Sequence, residues 1–252
     1  MISWAVAAEQ IYRSRRVLLA GFLILSLLGI TVVFLFDQLP RLLRYLALPP
    51  DVQPMAEAQA TNYFVYLWAN WYAKHLYQGA TIVALLVGAS LFAATAGDGP
   101  AGTAGGLRPG RGTIFAGRYL AGAIGVALVM AGSTAVVGVV SILRGRPLPA
   151  TNFALGLIPA MAGMLVIFGL AALCSALSPS PRQALLRAAA TAVLLSVPGW
   201  IREWQAFSVY RQMQAMYYPF AGALFWNSIA GLLGTALLLA LAAGWVFARR
   251  EA

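Results

Sequence analysis

The sequence is short of charge, of histidine and of cysteine, and each shortage removes a class of function. Its 252 residues include 17 lysines and arginines, 7 acids, one histidine and one cysteine. Charged residues make up 10% of the chain, against the roughly 25% that typical soluble domains carry. His75 stands beside Lys74 with no cysteine or acid nearby, so it supplies no metal site on its own and reads as an interfacial residue. Cys174 has no partner for an intramolecular disulfide and reads as a small packing residue. No GxSxG elbow occurs, and the long apolar runs contain no acid. The carboxylates through which carriers and proton pumps couple to ions are therefore missing from the places where they act.

What the chain does have is apolar surface. Hydrophobic residues make up 61% and the mean hydropathy is +0.79, more than a soluble chain of this length is able to bury. About 20 helical residues at a rise of 1.5 Å cross a hydrocarbon core ~30 Å thick. Six segments meet or approach that length: 17–36, 76–97, 119–143, 153–177, 184–201 and 220–248. The fifth is the weakest. It reaches spanning length only if Arg187 snorkels to the headgroups, and Pro198-Gly199 predicts a break within it. The reading is an all-α integral membrane protein, residues 1–252 forming a single domain with six transmembrane helices.

Residues 1–16, MISWAVAAEQIYRSRR, alternate apolar and polar positions at near-helical spacing, which predicts an amphipathic helix lying in the interface. Glu9 and the length of the following apolar run argue against a cleavable leader, so the first span is expected to be a permanent anchor. Arg13, Arg15 and Arg16 precede that span and Asp37 follows it, which predicts both termini inside, in a multi-pass protein of the cytoplasmic (inner) membrane. The net charge of +10 is scattered in ones and twos at segment ends, a membrane-surface pattern with no nucleic-acid footprint. Tyr63, Phe64, Tyr66, Trp68, Trp71, Tyr72 and Tyr77 are dense enough to predict an aromatic belt at the outer interface.

Between the second and third segments lies TAGDGPAGTAGGLRPGRGT, residues 95–113. Gly97, Gly99 and Gly102 spell GxGxxG, but a hydrophobic span precedes them where a dinucleotide fold has a β-strand. Gly110-Arg111-Gly112 lacks the Lys-Ser/Thr of a phosphate loop. Neither nucleotide reading survives, and no cofactor is expected in this chain.

The order of features does resemble the permease subunits of type-2 ABC exporters. Gly88, Ser90, Phe92 and Ala93 are followed by Asp98, Gly102-Thr103, Leu107, Pro109, Arg111 and Gly117-Arg118, in the family's order and near its spacing. Asp98 replaces the family's glutamate a few residues later in the chain, and Ala104-Gly105 stands where the family has Leu-Glu. The basic N-terminus, the Tyr218-Pro219-Phe220 before the last span and the Arg249-Arg250-Glu251 ending are similar too. The resemblance implies a six-span permease, and apolar spans with few intramembrane charges favour an amphipathic or lipid-like cargo over a sugar or metal ion. The resemblance also implies a separate ABC ATPase subunit that binds ATP and Mg²⁺, and a second permease copy, as a homodimer or with a similar chain. The ATPase-coupling loop would comprise Asp98, Gly102, Thr103, Leu107, Arg108, Pro109 and Arg111, with Ser178, Pro179 and Arg182 as a second cytoplasmic contact. The chain itself would not be an enzyme. The residues alone leave open a membrane assembly or scaffold protein that does not transport, and an ion-coupled carrier.

Overall fold

The computed structural model describes residues 4–45, 49, 53–93, 110–146, 148–215 and 224–249. Helix is the regular structure throughout them. Helix α1, Trp4–Leu35, passes without interruption through the arginines at 13–16. The segment expected to lie in the interface is therefore continuous with the first span. No proline occurs before Pro40, and nothing else in Arg13-Ser-Arg15-Arg16-Val17 breaks a helix. A 3₁₀ turn, Phe36–Gln38, leads into α2, Leu39–Tyr45. Pro40 falls in the first turn of α2, where its missing N–H is not needed.

Helix α3, Gln53–Thr61, is followed by α4, Tyr63–Leu67, whose N-cap Asn62 accepts from the amides of Phe64 and Val65. The chain then winds as a π-helix over Trp68–Leu76 and as α5 over Tyr77–Ala89. Helix α6, Arg111–Leu143, is followed by α7, Ala150–Leu155, and α8, Leu157–Leu177. Helix α9, Pro181–Leu194, stops short, and a 3₁₀ turn at Val197–Gly199 marks the interruption at Pro198. A further 3₁₀ segment, Arg202–Phe207, the short α10, Val209–Gln214, and α11, Trp226–Arg249, complete the described chain.

Four of these stretches are long and apolar enough to cross a membrane: Trp4–Leu43, Arg111–Leu143, Ala150–Leu177 and Trp226–Arg249. The protein therefore has the character of a membrane-embedded helical bundle. Its outward face agrees with that character, because Leu23, Leu27, Leu128, Leu186 and Leu238 are all exposed. In water such a surface would be untenable, whereas lipid is its natural solvent.

Helix α8 is the axis of the bundle and buries most of its length against α5, α6, α9, α10 and α11. Contacts along the helices fix their directions. Gly125 meets Leu18 and Gly29 meets Val137, so α1 and α6 run parallel. Gly21 meets Val83 and Gly79 meets Leu25, so α5 runs against α1. Small residues allow these close approaches, as is usual where lipid offers no hydrophobic drive for helix association. A Cβ at Gly88 would lie 2.6 Å from the Ala171 Cβ and 3.1 Å from the Phe168 carbonyl, so α5 packs on α8 almost backbone to backbone.

The aromatic run at 63–77 departs from the expected belt. Tyr66, Trp68, Trp71 and Tyr72 are buried in the main core. Their polar tips are satisfied inside the protein. Tyr66 donates to the Val32 carbonyl at 2.8 Å, Trp71 Nε1 to Thr134 Oγ1 at 3.2 Å and Trp68 Nε1 to the Gln214 carbonyl at 3.0 Å. An aromatic with an internal partner for its N–H or O–H has no need of the wet interface. Around this end of the bundle, Asp37 pairs with Arg144 at 2.8 Å and with Arg146, tying the end of α1 to the end of α6.

Candidate functional site

The opposite end of the bundle gathers the connections that the sequence singles out. Helices α5, α8 and α11 all present their C-terminal ends there, and an arginine from elsewhere meets each one. Arg118 Nη1, on α6, donates to the Leu91 carbonyl at 3.2 Å, in the turn that closes α5. Arg187 Nη1, on α9, donates to the Leu177 carbonyl at 3.2 Å, at the end of α8. Arg111 Nη1, in the first turn of α6, donates to the Ala248 carbonyl at 3.1 Å, near the end of α11. The last carbonyls of a helix have no intrahelical partner and carry the negative end of its dipole. A guanidinium supplies both the donor and the opposite charge.

Arg118 is itself buried, whereas Arg111 and Arg187 are exposed. No other arginine, lysine or acid among the described residues is buried.

A serine completes the clasp on α5. Ser175, buried on α8, accepts from the amides of Phe92 and Ala93 at 2.9 and 3.1 Å and donates to the Ala89 carbonyl at 2.8 Å. One hydroxyl thus satisfies three backbone groups where the helix ends and the glycine loop begins. Next to it lies a stack of aromatics from three elements. The Phe92 and Phe115 rings are 5.1 Å apart, those of Phe92 and Phe247 4.8 Å, and those of Phe115 and Tyr119 5.6 Å. Tyr119 in turn meets Phe168 edge-on at 5.1 Å. Ala93, just before the glycine-rich segment, therefore sits on a well-packed base, whereas Gly110, just after it, is exposed.

Of the residues proposed for the coupling loop, Asp98, Gly102, Thr103, Leu107, Arg108 and Pro109 lie outside the described residues. Arg111 lies within them, as the cap on α11. At the second predicted contact the three residues divide. Pro179 and Arg182 are exposed, but Ser178 is fully buried and its hydroxyl accepts from Arg187 at 3.3 Å. Ser180 caps α9 and accepts from the Gln183 amide, with Pro181 at the first helical position. Ala184 packs against Ala89 and Ala93, which sets the 178–180 turn beside the start of the glycine loop.

Sequence reasoning passed over Ser175 and Phe115, and noted Phe92, Arg118 and Arg187 without giving them partners. A serine, or an arginine close to the end of a span, was the available signal. Ser175 and Arg118 find their partners 83 and 27 residues away, and Arg187 finds its own ten residues back across a turn, none of which hydropathy shows. Among the described residues no group of histidine, cysteine and acids is placed to hold a metal ion. No family model matches the chain, and no curated protein sequence is significantly similar to it.

Proposed function

We propose that this chain is the membrane-spanning permease subunit of an ATP-driven exporter of the type-2 ABC kind, with six crossings and both termini inside. In this reading it works with a second permease copy and a separate pair of ATPase chains, and moves an amphipathic or lipid-like substrate. One observation supports it above the others: the base of the glycine loop, the 178–180 turn and the end of α11 sit together, held by buried hydrogen bonds from Ser175 and Arg118 and by exposed ones from Arg187 and Arg111. A push on the loop would reach α5, α6, α8 and α11 at once, without being lost in slack at the loop's base. ATP would belong to the partner, and the substrate path would run between two permease copies.

The reading is tested by isolating the tagged full chain from its native membrane in mild detergent and assaying ATP hydrolysis. An ATP-hydrolysing chain should co-purify, and deletion of residues 98–109 should remove it while the permease stays folded. A folded permease that never brings an ATPase with it would favour a scaffold or assembly role.

A further inference from the structure

A groove of about 330 Å³ runs along the outside of the bundle between α1 and α5, at the small end of the range for ligand pockets. Gly21 and Gly79 line it, Gly21 against the Val83 side chain and Gly79 against that of Leu25. Its walls include Ile24, 59% exposed, and Ile82, 60% exposed, so the cleft opens onto the surface that lipid would bathe. The lining extends along α1 from Arg16 to Leu25, a length of ~14 Å at the helical rise. That is about the hydrocarbon depth of one leaflet, half of a ~30 Å core.

The groove is apolar except at one end, where Arg16 stands. Its neighbours are otherwise engaged. Arg13 pairs with Glu9 at 2.6 Å, and Arg15 lies 3.7 Å from the centre of the Tyr12 ring. Arg16 has no such partner among the described residues, and it is exposed at the mouth of the groove. An apolar channel one leaflet deep with an uncommitted guanidinium at its interfacial end fits an amphipathic anion. We infer that this groove is a binding site for an anionic phospholipid, one acyl chain lying between α1 and α5 and the headgroup phosphate on Arg16. The bidentate fork of arginine suits phosphate, and the charge selects against zwitterionic lipid. The site depends on the chain being embedded in a membrane and not on the exporter reading.

Native mass spectrometry of the full chain, released from nanodiscs of phosphatidylcholine mixed with phosphatidylglycerol, tests this. The wild type should retain phosphatidylglycerol in preference to phosphatidylcholine. Arg16→Gln should lower that preference roughly tenfold, the effect of one lost charge-assisted contact. Arg16→Lys should keep most of the preference, and Arg15→Gln, outside the groove, should leave it unchanged. Ala20→Trp, which fills the groove from its open side, should displace both lipids. Equal losses in Arg15→Gln and Arg16→Gln would reduce the effect to general surface charge and overturn the site. So would displacement of the lipid by inorganic phosphate alone, which would mean that the acyl groove contributes nothing.

Discussion

Arg118 reaches from α6 into the bundle and donates to the Leu91 carbonyl, so the helix that follows the glycine loop holds the end of the helix that precedes it. The loop is thereby closed at its base by a charged hydrogen bond between its two flanking helices. Replacing Arg118 with methionine keeps most of the side chain's bulk and removes the donor. The expected cost is about 2–3 kcal/mol, the value of a charged hydrogen bond together with a stranded carbonyl, and thermal unfolding in detergent would measure it. Arg118→Lys should recover part of it.

Ser175 offers a second, independent test of the same base. Ser175→Ala leaves two amides and a carbonyl without their partner. Hydrogen exchange of peptides covering 88–93 should speed up by at least roughly tenfold, while exchange in the middle of α6 should not change.

The contact of Gly88 with Ala171 and the Phe168 backbone leaves no room for a side chain. Gly88→Val should destabilise the protein by about 1–3 kcal/mol through overpacking of α5 on α8, read as a lower melting temperature. By contrast, Gly231 has open space around it, and Gly231→Ala in the interior of α11 should be neutral or slightly stabilising.

Burial of the aromatic run is open to a spectroscopic check. Trp68 and Trp71 are 2% and 0% exposed, and Trp200 is 77% exposed. In variants that keep one tryptophan each, acrylamide should quench Trp200 strongly and Trp68 and Trp71 weakly. Strong quenching of Trp71 would restore the interfacial belt that composition suggests.

The contrast between those tryptophans shows what could be read in advance. Long apolar runs state directly that a helix must satisfy its own backbone in lipid, and so α1, α6, α8 and α11 were legible from composition. Proline told where α9 would falter. The same hydropathy is silent on which side of a helix faces protein, since lipid is as apolar as a core. That is why the aromatics at 66–72 looked like a belt, although their partners, Val32, Thr134 and Gln214, lie on other elements. Arginines near span ends were also ambiguous. Arg118, Arg187 and Arg111 resemble snorkelling residues until the helix ends they meet are known. Of the candidate site, Arg111, Ser178, Pro179 and Arg182 have described positions, and Ser178 shows how a residue chosen as a surface contact can instead be part of the packing.

In the proposed function, the end of the bundle bearing the glycine loop receives an ATPase. A photo-crosslinking residue at position 103, at position 182, or at position 204 on the opposite end of the bundle would test it most directly in intact cells. A covalent adduct with a nucleotide-binding chain is expected from 103 and from 182, and none from 204. An adduct from 204, or none from any of the three in a chain that is folded and in the membrane, would contradict it.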